Sequence, residues 1–501
     1  MGWNGDAFAP INQDRPRPLL GRGIEAVCGI QSPWVNELPK PKPGANGCRP
    51  RGTLRPSGDD ASIRGQAHMR FIRAVLLVLV FGRMLAIGSD VSAAAEPDLG
   101  SNWVAGAPRA EIQPRCFLDP SRHLSSPAAL AISGDGNLLE YGGWSRRVTG
   151  IQAGHYYRLT AHFHAEAVVD ERRQVIARLD WLDASGDRVG QPDYASETGP
   201  PGDWNTSGLN VPAPEGSSAV RIELLLAWAP KGAVWWDDIA LELSQPPPDR
   251  WVRIGTLSFH PRNDPDNLGR WIRELDDIAP EKPDIVCLGE ELLNEGNSRS
   301  YAVTAEPIPG PSTARLGEAA RRHGMYLVAG LIERDGHGIY NTSVLIDRRG
   351  MVAGKYRKVY LPREEIEGGL TPGSACPVFE TDFGRIGIMV CWDAEYIEPA
   401  RALAYQGAEI FLVPAAGGYL DLLKARALEN HVYVVSSGFD VESAIIDPTG
   451  SVLFSTKDSP SHKVVRVNLA QRFVDPWLGD MRARFRKEIR PEIYVPSRAP
   501  E

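Results

Sequence analysis

The pattern of apolar and polar positions divides the chain into three regions. Residues 1–68 are rich in Pro, Gly and Arg and show no sustained periodicity, which is typical of a disordered or untranslated extension. Between residues 96 and 245, short runs of alternating apolar and polar residues recur between Gly, Pro, Asp and Asn. From residue 251 onward, continuous apolar runs alternate with stretches of helical spacing. The pattern therefore predicts two folded domains, at 96–245 and 251–501.

The first domain is predicted to be an all-β sandwich. Its alternating runs occupy 155–165, 174–186, 219–229 and 233–243. The segments GGWSRRVTGIQAGHYYRLTAHFHA and VWWDDIALEL resemble strands of the jelly-roll accessory modules of many secreted enzymes, which are often called carbohydrate-binding-like domains. The resemblance makes a glycan or another surface ligand a candidate partner of this domain.

Tryptophans in this domain allow two interpretations. Exposed rings can stack on sugars, whereas Trp181, Trp235 and Trp236 lie in apolar runs and are expected to pack in the core. We favour the core. Three consecutive prolines, Pro246–Pro248, then predict a stiff linker at 246–250 between the two domains.

The second domain is predicted to have an α/β fold with a mixed sheet. The strand-like runs VRIGTLSF and PDIVCLGEE flank a segment with apolar residues at helical spacing, namely Leu268, Trp271 and Leu275. A second helix-like segment, TARLGEAARRHG, precedes the runs MYLVAGLIE, YNTSVLID and MVAGKYRKVYLP. Early alternation of strands and helices followed by hairpin-like strands favours this fold class.

The composition argues against several kinds of partner and binding site. The net charge is −8 and no basic stripe is visible, so nucleic acid is not an expected partner. Six cysteines in 501 residues do not form a disulfide scaffold, and none of them lies in a CxxC pair that would predict a structural zinc site. No metal is therefore expected.

The segment 69–95 has the three parts of a secretory signal peptide. Met69 is followed first by a short basic segment and then by an apolar run, and a series of small residues ends at Ala95, just before Glu96. The apolar run is short for a membrane span and Arg83 interrupts it, so cleavage near Ala95 is favoured over a signal anchor. This predicts a secreted or periplasmic protein whose translation starts at Met69.

Three reactive side chains follow apolar strands of the second domain. Glu290 follows DIVCLG, Lys358 lies in KYRKVYLP, and Cys391 follows GIMV. Each has an ordinary alternative, since Glu290 and Lys358 can be solvated surface residues and Cys391 can be a small core residue. A thiol at the tip of a core strand is nevertheless well placed to act as a nucleophile.

Taken together, these residues and their surroundings resemble the nitrilase-like carbon–nitrogen hydrolase family. The matching segments are YRKVYLP, TPGSACPVFETDFGRIGIMVCWD, ARALENHVYVVSSG and RPEIY, in the order that the family has them. The resemblance covers nearly all of 251–494. It implies a four-layer αββα sandwich, no cofactor, and a homodimer or higher homo-oligomer.

The resemblance also implies roles for individual residues. Cys391 would be the nucleophile, Glu290 the general base, and Lys358 with the Trp392 N–H would stabilise the oxyanion. A second glutamate would orient the substrate amide, and Glu364, Glu365 and Glu367 all lie in the expected interval. Glu367 is the preferred candidate.

The expected function is that of a secreted thiol hydrolase that cleaves a small amide or carbamoyl compound through an acyl-cysteine. Nitrile hydrolysis and acyl transfer to an amine by the same triad are alternatives within enzymes. A non-catalytic extracellular binding protein is the alternative from another class, but retention of all three triad residues argues against it.

Overall fold

A computed structural model describes residues 102–200, 202–261, 264–297, 299–439 and 442–490, all within one compact unit. The predicted extension at 1–68 and the signal peptide at 69–95 lie outside the described residues. Within the described part of the chain, no helix is long and apolar enough to cross a membrane.

The first half, over its described residues 102–200 and 202–245, contains eleven strands and one short helix. The strands are β1 Val104–Gly106, β2 Arg115–Asp119, β3 Ala129–Ser133, β4 Tyr141–Thr149, β5 Tyr156–Glu166, β6 Val175–Leu182, β7 Asp193–Tyr194, β8 Glu197–Thr198, β9 Asn205–Pro212, β10 Ala219–Ala227 and β11 Ala233–Ser244, and helix α1 is Glu171–Gln174. A 3₁₀ turn, Ala110–Ile112, joins β1 to β2. The four longest alternating runs of the sequence thus coincide with β5, β6, β10 and β11.

These strands make two antiparallel sheets over a common core. One sheet has the order β1-β4-β10-β6-β7 and the other β2-β3-β11-β5-β9-β8. Trp181 and Ile222 of the first sheet share one apolar cluster with Leu159 and Trp236 of the second. Trp181, Trp235 and Trp236 are buried, so the core interpretation of these rings is confirmed. The jelly-roll relationship stays a prediction.

The second half, as far as the structure describes it between residues 251 and 490, contains fourteen strands and seven helices. The strands are β12 Trp251–Ser258, β13 Ile285–Cys287, β14 Tyr326–Asp335, β15 Gly338–Ile346, β16 Val352–Arg357, β17 Val378–Glu380, β18 Arg385–Ile388, β19 Ile410–Pro414, β20 Tyr433–Ser437, β21 Ser443–Ile446, β22 Val452–Thr456, β23 Ser461–Asn468, β24 Val474–Asp475 and β25 Gly479–Asp480. The helices are α2 Asn267–Ile278, α3 Tyr301–Thr304, α4 Pro311–His323, α5 Arg363–Glu367, α6 Ile397–Tyr405, α7 Leu420–Asn430 and α8 Met481–Glu488. Ala279–Glu281 and Cys391–Glu395 are 3₁₀ turns.

Two mixed six-stranded sheets lie at the centre of this half. Their orders are β16-β15-β14-β13-β12-β23 and β17-β18-β19-β20-β21-β22. Ile254 and Val328 of the first sheet share one apolar core with Ile388 and Leu412 of the second. The parallel strands are buried on both faces, which explains their continuous apolar runs. The α/β fold expected from the sequence is confirmed.

Helices cover the outer faces of both sheets. Trp271 of α2 and Leu316 of α4 pack on the first sheet, whereas Leu403 of α6 and Leu423 of α7 pack on the second. The layers therefore run helix, sheet, sheet, helix. The parallel strands β13, β18 and β19 end at one side of this arrangement, and the residues that follow them meet there.

The two halves touch through α6, α8 and Arg472 of the second half. Arg472 pairs with Asp193 at 2.5 Å, Lys487 donates to the Val175 carbonyl at 3.4 Å, and Arg172 lies 4.3 Å above the Tyr405 ring. These contacts are polar and lie away from the ends of β13 and β18.

Removal of the first half is therefore expected to lower thermal stability but to spare catalysis. A chain that starts near Asp249 keeps every strand of the two six-stranded sheets and should melt a few degrees lower, because the contacts of Arg472 and Lys487 are lost. Its kcat on a small amide should stay within about threefold of the full chain. Circular dichroism and ammonia release test this, with Arg472→Gln in the full chain as the control. A folded short chain without turnover would contradict it.

Candidate active site

Cys391 lies in a strained turn between β18 and α6. It is the first residue of the 3₁₀ turn Cys391–Glu395 and its φ is +45°, a left-handed value that side chains other than glycine rarely adopt. Such a conformation costs on the order of 1–3 kcal/mol and persists only when neighbouring contacts impose it. The thiol donates to the Gly417 carbonyl at 3.5 Å.

Asp393 supplies the contacts that hold this turn. Its buried carboxylate accepts hydrogen bonds from the Val390 N–H at 2.9 Å, the Tyr356 hydroxyl at 2.8 Å and the Tyr360 N–H at 2.9 Å. The carboxylate therefore ties the residue before Cys391 to the chain on both sides of Lys358. The carboxylate therefore braces the turn that carries Cys391.

Lys358 is fully buried between two carboxylates. Its Nζ donates to Glu290 Oε1 at 2.8 Å and to Glu365 Oε1 at 2.5 Å. Burial opposes the charge of the ammonium, but Glu290, Cys391 and Glu365 outweigh burial and raise the pKa of Lys358 above its ordinary value. The site therefore contains a permanent buried cation.

Glu290 connects the lysine to the loop beside Cys391. Its Oε1 accepts from Lys358 Nζ and from Asn341 Nδ2, the latter at 2.8 Å, while its Oε2 accepts from the Ala416 N–H at 2.8 Å. Ala416 directly precedes Gly417, whose carbonyl accepts from Cys391. The structure thus brings Glu290, Lys358 and Cys391 together.

The prediction for the second glutamate requires a correction. Glu367 lies on the surface with 69% of its side chain exposed and contacts Arg363 at 3.9 Å, whereas Glu365 is buried against Lys358. Both residues belong to α5, where two positions correspond to about 200° around the helix axis. A helix that presents Glu365 to the site must therefore point Glu367 to solvent.

Glutamine substitutions separate the two residues. Glu365→Gln is expected to lower kcat/KM at least about a hundredfold, because it removes a charge that Lys358 contacts at 2.5 Å. Glu367→Gln is the matched control on the same helix and should keep wild-type kinetics. Steady-state ammonia release measures both. Equal effects of the two substitutions would contradict the placement of α5.

The thiol of Cys391 is protonated in the resting site. Burial, followed by the charge of Glu290, raises the pKa of Cys391 to about 12, although Lys358 and the Gly417 and Ala416 backbone oppose the rise. The side chain needs a proton acceptor before it can act as a nucleophile. Trp392 follows Cys391 directly, and its side chain is 39% exposed. The role of its N–H stays a prediction.

A narrow apolar pocket adjoins the thiol. Cys391 lines it together with Ala394, Val413, Ala415, Tyr419 and Leu422, and Glu395 adds one charged side chain to this mainly apolar lining.

Comparison with known proteins places this site in a family. The family model described as carbon–nitrogen hydrolase matches residues 252–475. The omega-amidase of Xenopus tropicalis is 31% identical over 188 residues, which cover 34% of this chain and 68% of that protein. The chain belongs to the carbon–nitrogen hydrolase family. It is an enzyme that acts on carbon–nitrogen bonds other than peptide bonds.

Other relatives of this hydrolase carry related names. The human omega-amidase is 29% identical over 38% of this chain and 78% of its own length. A bifunctional nitrilase/nitrile hydratase of Lupinus angustifolius is 39% identical over 28% of this chain and 41% of its own length. Among solved structures, a mutant of the amidase from Nesterenkonia sp. AN1 with butyramide is 25% identical, covers 48% of this chain and 95% of that chain, and has a TM-score of 0.41.

Sequence reasoning missed two polar residues of the hydrolase site. Asn341 is fully buried in β15, and its Nδ2 faces the carboxylates of Glu290, Glu291 and Glu365. The polar triplet Asn341–Ser343 within a predicted strand was the available signal, because a buried amide needs polar partners. Glu291 directly follows Glu290, and this doublet of carboxylates at one strand end was the second signal.

Proposed function

We propose that this hydrolase cleaves small amides through a thioester on Cys391, with Glu290 as general base and Lys358 as oxyanion stabiliser. The observation that carries the proposal is the buried bridge from Glu365 through Lys358 to Glu290, which ends at the loop that contacts the thiol. A cation held at that point supplies electrostatic stabilisation in a site from which water is largely excluded.

The first half-reaction forms the acyl-enzyme. Glu290 accepts the Cys391 proton as the sulfur attacks the amide carbon, and the oxyanion is stabilised by Lys358 and the Trp392 N–H. Glu290 then gives its proton to the departing nitrogen, and ammonia or an amine leaves behind a thioester. Glu365 accepts a hydrogen bond from the amide N–H and thereby orients the carbonyl carbon toward the thiol.

The second half-reaction releases the acid. Glu290 removes a proton from water, the resulting hydroxide attacks the thioester carbonyl, and the tetrahedral intermediate collapses to a carboxylic acid. The proton held by Glu290 returns to the sulfur. These steps need only the groups already described.

The match to this chain covers a larger share of the omega-amidases' own length than of the nitrilase/nitrile hydratase's own length. For this reason amides are favoured over nitriles as substrates. Ammonia release from a panel of short amides, carbamoyl compounds and nitriles tests the choice. Turnover of nitriles without turnover of amides would overturn it. Formation of a hydroxamate with hydroxylamine measures the competing acyl transfer to an amine.

We further propose that the chain is exported and that the first half is a jelly-roll domain that captures a surface ligand. Trp228 is 49% exposed and its ring lies 5.8 Å from that of Tyr141, so this pair is available for stacking on a sugar ring. Quenching of tryptophan fluorescence by glycans, lost in Trp228→Ala, tests the ligand. A homo-oligomer, proposed from the family, is tested by light scattering.

The mature protein is expected to begin near Glu96. Small residues end at Ala95 and a helix-breaking proline follows Glu96, which suits signal peptidase. N-terminal sequencing of protein from the native host checks this. Peptides from 1–68 in that material would contradict the prediction that translation starts at Met69.

A further inference from the structure

Three carboxylates share this site with Lys358, whose single positive charge can neutralise one of them. Carboxylate oxygens of Glu290, Glu291 and Glu365 all lie within 4.8 Å of one another. Lys358 contacts Glu290 and Glu365, and no cationic side chain among the described residues forms an ion pair with Glu291. Glu291 instead accepts hydrogen bonds from Asn341 Nδ2 at 3.2 Å and from the Tyr301 hydroxyl.

Glu291 is also the least buried of these three residues. Glu290 and Glu365 are buried, whereas Glu291 keeps partial exposure. The residue has a φ of +52°, so the chain turns sharply there and directs consecutive side chains of the glutamate doublet to different positions. One carboxylate faces Lys358 and the next lies beside it, toward Tyr301.

Two further buried atoms lack hydrogen-bond donors. Asn341 is fully buried and its Oδ1 has no partner, and the same holds for Oε2 of Glu365, whose relative exposure is 6%. Buried acceptors without donors are rare because each costs about 1–3 kcal/mol. Both side chains contact the carboxylates just described, so the site as a whole has an excess of acceptors. A ligand that supplies N–H donors would satisfy them.

A resident metal ion does not fit among these excess hydrogen-bond acceptors. Lys358 Nζ already occupies Oε1 of Glu290 and of Glu365 at hydrogen-bond distance, and a divalent cation there would face a buried ammonium. The remaining place for a positive charge is beside Glu291, at the edge of the site.

We propose that Glu291 is a substrate-binding residue that pairs with an ammonium group on the substrate, so that this hydrolase prefers amides with a cationic amine at the far end of a short chain. The inference rests on the proposed amidase function. Because the three carboxylates lie within 4.8 Å of one another, the ammonium belongs on a short chain, about five bonds from the amide carbon.

The protonation of the site agrees with this role. Burial, followed by the charges of Glu290 and Glu365, raises the pKa of Glu291 to about 8. Lys358 opposes the rise, and Tyr301 donates to the charged form. A bound ammonium favours the ionised form of Glu291, so the preference for a cationic amide should increase as pH rises from about 6 to 9, while a primary amine is still protonated.

Three amides of matched length test the proposal. We expect kcat/KM of the full chain for δ-aminovaleramide to exceed that for the neutral valeramide by roughly 30-fold, and glutaramate, with a carboxylate at the same place, to be the poorest substrate. Glu291→Gln should reduce the cationic-to-neutral ratio at least about tenfold. Glu364→Gln, an exposed residue paired with Arg363 at 2.8 Å, is the control and should keep the wild-type ratio.

Calorimetry on Cys391→Ala separates this inference from the proposed function. We expect Cys391→Ala to bind δ-aminovaleramide more tightly than valeramide, and we expect this difference to disappear when Glu291→Gln is added. This outcome supports the inference even if the wild-type enzyme releases no ammonia. A wild-type enzyme that releases no ammonia would defeat only the amidase proposal. Equal binding of the two amides, or a ratio of kcat/KM that Glu291→Gln leaves unchanged, overturns the inference whether or not the enzyme hydrolyses them.

Discussion

Replacement of Cys391 by alanine is expected to lower kcat on a small amide by at least about four orders of magnitude, because no thioester can form. The fold should persist, since the turn is held by the hydrogen bonds of Asp393 to Val390 and Tyr360, which do not involve the sulfur. The substitution removes only the sulfur atom, so the space that it leaves is small.

The control for this substitution is Cys287→Ala. Cys287 is fully buried in β13, and burial raises the pKa of its thiol far above the usual range, so it is inert as a nucleophile. Steady-state ammonia release, with circular dichroism for folding, should show loss of turnover in Cys391→Ala alone. Turnover by Cys391→Ala above one per cent of wild type, on the order of a hundredfold more than expected, would refute covalent catalysis by this residue.

Replacement of Lys358 by methionine is expected to damage both activity and stability. Loss of the cation removes the oxyanion stabiliser and should cost about a thousandfold in kcat. It also leaves Glu290 and Glu365 buried without their shared partner, a change that typically destabilises a protein by about 3–5 kcal/mol unless the carboxylates take up protons.

The pH dependence of stability distinguishes this variant. Burial already raises the pKa of Glu365, and Lys358 opposes this rise. Without Lys358 the pKa of Glu365 in the folded state should rise further, so the variant should gain stability as pH falls from about 8 toward 5. Lys355→Met is the control, because Lys355 is partly exposed and Glu333 keeps its contacts with Arg357. Thermal melts across pH measure both. A Lys358→Met variant as stable as wild type at neutral pH would contradict the buried bridge.

Most of the architecture could be predicted from the sequence because its signals are local. The alternating runs at 155–165 and 233–243 became β5 and β11, and the apolar run VRIGTLSF became β12. Strand boundaries were less accurate. The apolar segment GIMV before Cys391 ends as a strand at Ile388, because the hydrogen bond from Val390 N–H goes to Asp393 rather than to a neighbouring strand.

Only those residues of the site could be predicted whose role shows in the sequence immediately around them. Glu290, Lys358 and Cys391 each follow an apolar run, so their convergence is a property of the sheets. The choice between Glu365 and Glu367 depended on the rotation of α5, a five-residue helix too short to show periodicity. Asn341 and Glu291 were missed because the interactions that define them, with Glu290 and Glu365, join elements distant in sequence.

One measurement tests the central claim most directly. The full chain is mixed with a slowly hydrolysed amide, quenched with acid within the first turnover, and analysed by peptide mass spectrometry. The account predicts that the acyl mass is on the peptide that contains Cys391, that it disappears when hydroxylamine is added, and that it is absent from Cys391→Ala. An acyl group on Cys376 or Cys287 instead, or turnover with no acylated peptide when water attack is the slow step, would contradict it.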